Sequence, residues 1–484
     1  APTEESTNPT NPETPPPVRN IRIAFTSDNR FAVASTHPAK ADRAAARKAK
    51  KKPEEMPRGG IVIVNLESGD VARVADVKSF QVPAKGGGWL AYLKEPKPED
   101  RKPETPAAGT ATATKPAEPA AAPDEEVAPD IDDDDQAAPA GTGRGGRSGA
   151  TSARTSATAT SERTFGTELI LRELATANER TFQSVSDYSL ARDGRTLLYT
   201  VSARAQDTNG VYRITPGDAA APYSLLSGRG RYSRLTWDRE QTQAVFASDR
   251  DSAATRPAAA PNSTKTGTSP SPANTRYKLY RWERGSPGAV AVVTSETKGL
   301  PKDFVVSGTA SASFSRDGKK LFVAAAPAPK PRTTTTAVPD EEKVTADLWH
   351  WRDGHVQPMQ KVRAGQERSR TYRGALDLAS LSYTQLADTT LPTVTTSDDG
   401  KRVLGLDDRA YRHLVDYDGR YNDIYVVDAT TGERRLVMQK IRQESATGLL
   451  WSPDGRWAAY YQDKQWRLLD TQAGTSRSIS AKVR

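Results

Sequence analysis

The chain of 484 residues contains no cysteine. That excludes a disulfide framework, a thiolate metal site and a cysteine nucleophile. Histidine is almost as scarce. His37, His350, His355 and His413 are the whole supply, and no carboxylates stand near them at zinc-enzyme spacing. No metal and no cofactor are therefore expected. No apolar run approaches the ~18–20 residues of a membrane span. Apolar residues make up only 36% of the chain, while glycine and proline number 34 each, so a folded core diluted by polar insertions is expected. A Gly-x-Ser-x-Gly nucleophile elbow is missing, and so is a Gly-x-x-x-x-Gly-Lys-Ser/Thr phosphate loop. No catalytic residue is expected in this chain. The pair Glu341-Glu342 reads as solvated acid at the edge of an insertion.

What is present is unevenly charged. The net charge is +9, yet Lys40–Lys52 alone carries seven positive charges and Asp130–Asp135 five negative ones. A basic run can bind nucleic acid or anionic lipid. Here no stacking or groove-reading module accompanies it, so a solvated loop and no nucleic-acid partner are expected. The opening "APTEESTNPTNPETPPP" reads as a flexible tether, either exposed by removal of a signal peptide or left by an arbitrary boundary. A periplasmic or secreted location is expected.

The dominant signal is a repeat. "WSPDGRWAAYY" (Trp451–Tyr461) sets a Ser-x-Asp-Gly turn between two apolar runs. Pro453 pre-sets φ, Asp454 can accept from backbone amides, and Gly455 supplies the positive φ that closes the turn. The outline returns at Tyr188–Thr200, Ser313–Ala325 and Thr393–Leu406, and in degenerate form at Ile23–Ser35, Phe80–Leu93 and Leu235–Ser248. Each copy is followed by a second hairpin, beginning near Gly60, Glu168, Val211, Tyr277, Asp347, Asp423 and Gln465. In the fifth copy "DLWHWRDGHVQPM" is taken as that strand and turn, from the alternation in "LWHW".

Two hairpins repeated seven times, with a period of about 40–50 residues plus insertions, indicate an all-β chain. The expected architecture is a β-propeller of seven recognisable four-stranded blades. If the complete protein has an eighth, these seven form an open ring. The expected divisions are a disordered tether over 1–19 and a propeller over 20–484. Its blades fall near 20–76, 77–182, 183–228, 229–298, 299–378, 379–443 and 444–484. Low-complexity insertions at 36–59, 95–166, 250–276 and 327–346 all fall between the second and third strands of a unit. Their composition cannot bury enough apolar surface to order itself, so disorder is expected.

A shorter insertion in the sixth unit, Asp407–Asn422, differs. It interleaves Tyr411, Tyr417 and Tyr421 with Arg412, His413 and Arg420. Aromatics among arginines are typical of interface hot spots, and a loop packing on its own blade is the competing reading. These six residues are the candidate binding residues.

At "WSPDGRWAAYYQDKQWRLLD", "RDGKKLFVAAAP...DLWHWRDG" and "NDIYVVDATTGERRLV" the sequence resembles TolB-like propeller repeats, and most of all the N-terminal propeller of prolyl oligopeptidase family serine peptidases. "RAYRHLVDYDGRYNDIYVVD", with the Ala/Pro-rich inserts, is similar to large envelope-directed bacterial members. The resemblance runs from about Asn20 to Arg484, the inserts unmatched. It implies a domain that gates or selects peptide substrates for an α/β-hydrolase domain carrying Ser, Asp and His. That triad has no counterpart here, and neither has the Glu-Glu motif of dipeptidyl-peptidase relatives. The alternative expectation is a stand-alone envelope propeller that holds a protein partner.

Overall fold

The computed structural model describes residues 21–51, 55–96, 165–254, 276–328, 348–443 and 448–482. They form an all-β fold of antiparallel sheets. The first sheet is a meander of β1 (Ile23–Phe25), β2 (Phe31–Thr36), β3 (Gly60–Asn65) and β4 (Val71–Ala75). A seven-stranded sheet follows in chain order, with β5 (Val77–Gln81), β6 (Trp89–Lys94), β7 (Thr167–Glu173), β8 (Glu179–Leu190), β9 (Leu197–Val201), β10 (Gly210–Ile214) and β11 (Tyr223–Ser227). Next come β12 (Tyr232–Trp237), β13 (Gln243–Ser248), β14 (Lys278–Glu283) and β15 (Val290–Val293). The fifth unit has a split first strand, β16 (Phe304–Val306) and β17 (Ser313–Phe314), both paired with β18 (Lys320–Pro327), then β19 (Tyr372–Asp377) and β20 (Ser382–Gln385). The last two sheets are β21 (Thr393–Thr396), β22 (Arg402–Asp407), β23 (Tyr421–Asp428) and β24 (Arg434–Arg442), then β25 (Leu450–Trp451), β26 (Trp457–Gln462), β27 (Gln465–Asp470) and β28 (Thr475–Ser478).

The seven-stranded sheet arises because two units share one strand. β8 pairs with β7 along Glu179–Val185 and with β9 along Val185–Leu190. Ser184 takes a φ of 58° where the partner changes.

Packing explains why second strands are apolar on both faces. In β13, Ala244 and Phe246 enter the core that includes Leu198 and Trp282, while Val245 and Ala247 enter the core that includes Leu321 and Leu376. Alternate side chains on a strand point to opposite faces, so one strand serves two cores. Six such cores among the described residues each join one four-stranded unit to the next. Among the described residues none joins β1–β4 to β25–β28, and Ile23 and Phe25 on the first strand are 59% and 61% exposed.

The Ser-x-Asp-Gly turns close as their sequence requires. Ser315, Ser397 and Ser452 Oγ each donate to Oδ1 of the Asp two residues on, at 2.6 Å. Gly318, Gly400 and Gly455 have φ of 69°, 70° and 65°.

Several expectations are corrected. "DLWHWRDGHVQPM" is not a strand. Its residues from Leu348 to Val356 lie outside regular structure and lead into α3 (Gln357–Arg368), with Pro358 in the first turn. Proline lacks the N–H a strand needs and suits a helix start. The third strand is β19, whose Tyr372–Asp377 pair in register with Lys320–Ala325. The fifth unit therefore runs to Gln385, past the boundary expected at 378. The insertion at 36–59 holds an ordered helix, α1 (Lys40–Lys48), which buries Ala46. Its Asp42 in the first turn and Arg47 and Lys48 in the last suit the helix dipole. The insertion at 250–276 opens with a short helix, α2 (Arg250–Ala254). The tether 1–19, most of 95–166, residues 255–275 and 329–346 lie outside the described residues. Among the described residues no helix is long and apolar enough to cross a membrane.

Candidate functional site

The loop between β22 and β23 is ordered, with a 3₁₀ turn at Arg409–Leu414. Its base is tied by two aspartates. Arg409 donates from Nε and a terminal nitrogen to Asp407 at 2.9 and 2.8 Å. Tyr411 Oη donates to Asp423 Oδ1 at 2.7 Å. Tyr421 lies 6.1 Å from Tyr411, with Lys440 5.3 Å and Arg442 5.9 Å from its ring centroid. Arg412 Nε donates to Asp408 at 2.9 Å. The structure thus brings Tyr411, Arg412 and Tyr421 into contacts within the unit. Arg420, His413 and Tyr417 are exposed, Tyr417 by 74%.

The fifth-unit insertion meets this loop at Arg412. A side chain on Gly354 would stand 3.2 Å from Arg412 Cδ. Arg363 donates to His355 Nε2 at 2.6 Å. Burial lowers the His355 pKa, and the nearby Arg363 and Arg412 lower it further, so the ring favours its neutral form. Beside this junction Leu348, Trp349, Trp351 and Val362 are strongly exposed, Trp351 by 82%.

A second polar group lies on the first strands of the units, where no residue stood out in the sequence. Pairing slips between Val77 and Ser79 on β5, between Val185 and Asp187 on β8, and between Ser233 and Thr236 on β12. A bulge leaves its extra residue unpaired and re-aims side chains. Arg234, inside one of these slips, has a φ of 62°. In the fifth unit the corresponding strand is interrupted altogether, between β16 and β17.

These first strands lie side by side. Ser79 Oγ and Tyr188 Oη are hydrogen-bonded at 3.2 Å, and Leu190 N donates to Gln81 Oε1 at 2.7 Å. Trp237 Nε1 donates to Ser189 Oγ at 3.1 Å, and Ser233 Oγ to Gly308 O at 3.4 Å. Lys78, Asp187 and Arg234 are solvent-exposed residues of three of these strands. Desolvation by surrounding protein raises the Asp187 pKa, against a hydrogen bond from Tyr188 N and the charges of Arg234 and Lys78. Arg22 lies 5.1 Å over the Phe80 ring and acts electrostatically on Tyr188. The only sequence signal was a polar residue in β5, β8 and β12, and strict alternation gave it no special place.

The chain is similar in structure to the propeller domain of a protease. That structure is the β-propeller domain of the Trilobed protease from Pyrococcus furiosus, at 8% identity and a TM-score of 0.32, covering 96% of this chain and 99% of that one. A prolyl endopeptidase matches at 9% identity and a TM-score of 0.34 over 95% of this chain; the chain spans 49% of its length. An oligogalacturonate lyase matches at 10% identity and a TM-score of 0.31, over 90% of this chain and 83% of that one. No protein-family model matches the sequence, and no curated protein does.

Proposed function

We propose that the sheets are seven four-stranded blades of a β-propeller, with β8 shared by the second and third, and that the domain admits or selects peptides for an α/β-hydrolase domain. The observation that carries this reading is the side-by-side placing of first strands, with an apolar core between each unit and the next among the described residues. In a propeller the first strands face the central channel. The enzyme class comes from the sequence resemblance to prolyl oligopeptidase propellers. The same resemblance supports a location in the periplasm or outside the cell, which fractionation of the native host tests.

The purified chain tests the main reading. Fluorescently labelled unfolded peptides are expected to bind and folded proteins not to, and a serine-directed phosphonate is expected to leave the chain unlabelled. Labelling by the phosphonate, or binding of one folded protein with no peptide bound, overturns it.

The exposed Leu348, Trp349, Trp351 and Val362 favour a second reading, a stand-alone platform for a protein partner. Replacing Trp349 and Trp351 by Ser would then remove partner binding and spare peptide binding.

A further inference from the structure

We propose that the segment leading into α3 adsorbs to an anionic lipid surface, with Leu348, Trp349, Trp351 and Val362 entering the bilayer interface and Arg352 and Lys361 binding phosphate headgroups. The inference rests on neither reading above, and it gives the exposed patch an occupant of a different class from a protein.

The patch is one connected piece of structure. The Arg352 guanidinium stands over the Trp351 ring, 4.5 Å from its centroid, and the His350 ring stacks on the same tryptophan at 6.0 Å. Arg352 N donates to His350 Nδ1 at 3.1 Å and Asp353 N to His350 O at 3.0 Å, so the stretch is folded on itself. Gln360 ties it to the helix. Its Nε2 donates to Asp353 Oδ2 at 3.0 Å and to His355 O at 2.8 Å. Lys361 and Val362 follow Gln360 on α3, and both are exposed.

Exposure and charge together select the occupant. Leu348 is 88% exposed and Trp351 and Val362 82% each, so these side chains stand clear of the chain and line no groove of it. Exposed apolar groups of this kind mark a surface that something else covers. A protein partner would have to supply a fitted pocket for each of them. The headgroup region of a bilayer envelops a projecting side chain without one. Tryptophan favours that region, because its ring is apolar and its N–H is polar. From Leu348 to Arg370 there are five Lys and Arg against two acids. Cations beside exposed apolar groups are attracted to anionic lipid, and guanidinium pairs closely with phosphate. Among the described residues no helix is long and apolar enough to cross a bilayer, so the contact is adsorption. A nucleic acid fits less well. Arg352 and His350 already occupy the Trp351 ring, and Leu348 and Val362 offer a base nothing to stack on.

The test is flotation of the full chain with vesicles, one set of phosphatidylcholine alone and one mixed with phosphatidylglycerol. Binding to the mixed vesicles is expected to be at least about tenfold stronger, with a blue shift of tryptophan emission. Trp349→Ser with Trp351→Ser leaves the net charge unchanged and should remove most of the binding and of the shift. Arg352→Gln with Lys361→Gln should weaken binding about tenfold and flatten its dependence on salt. These side chains are exposed, and unchanged thermal melting of the variants confirms intact folding. Anionic binding that the tryptophan variant retains in full is attraction by net charge alone and overturns the proposal. Equal binding to both sets of vesicles overturns it too, because lipid charge is then not selected. No binding to the mixed vesicles also overturns it, and a Glu-rich peptide bound instead through the same tryptophans would assign the patch to a protein.

Discussion

Gly400, in the turn that opens the sixth unit, lies directly on Ser315, in the turn that opens the fifth: a methyl group on Gly400 would stand 2.7 Å from Ser315 Cβ. The same step recurs one unit on, where a methyl group on Gly455 would stand 2.8 Å from Ser397 Cβ. One unit earlier, Gly318 lies as closely on Gln243. The repeated glycine therefore closes its own turn and also seats it on the turn before.

This double role predicts an unequal cost of adding a methyl group. Gly400→Ala meets both a φ of 70° and the Ser315 contact. It should lose about 2–4 kcal/mol of stability in urea unfolding. Gly69→Ala has a φ of 76° with open space around it and should lose only about 1 kcal/mol. Equal losses would show that the seating contributes nothing.

The serine beneath each glycine is the second test. Ser397 is 2% exposed, and its Oγ accepts from Arg402 N at 3.1 Å while donating to Asp399. Ser397→Ala leaves a half-buried amide without its acceptor and should cost about 1–3 kcal/mol. Ser452 has the same bonds but is more exposed and has no following glycine on it, so Ser452→Ala should cost less.

Acid should weaken the junction of the fifth and sixth units. Burial raises the Asp388 pKa, but Arg434 donates to both of its oxygens at 3.2 and 3.0 Å, and Thr390 and Leu391 donate as well. The donors win and hold the carboxyl at about 2, below the ordinary 3.8. Because the folded-state pKa is depressed, the contribution is full above about pH 4 and is lost as pH falls toward 2. The aspartate side chain is 38% exposed, so solvent screening reduces the effect to about 1 kcal/mol. The stability gap between the native chain and Asp388→Asn should shrink over that window. A constant gap would remove Asp388 as its source.

Two tryptophans should respond unequally. Trp282 is fully buried, donates to Ser286 O at 3.0 Å and meets Trp237 edge-on at 5.9 Å. Trp282→Ala should cost about 3–5 kcal/mol. Trp351, largely exposed, should change thermal stability by no more than about 0.5 kcal/mol when replaced by Ser.

The hairpins are legible in the sequence, because their bonds close within a few residues. Ser452 reaches Asp454 two residues on and accepts from Trp457 five residues on, so the stretch carries its own turn wherever it stands. The rest follows from packing between segments distant in the chain. "LWHW" alternates as a strand would, yet β18 pairs with Tyr372–Asp377 instead, because that strand buries side chains in two cores. The register slips on β5, β8 and β12 are set by the packing of neighbouring sheets and are long-range choices that no local pattern records.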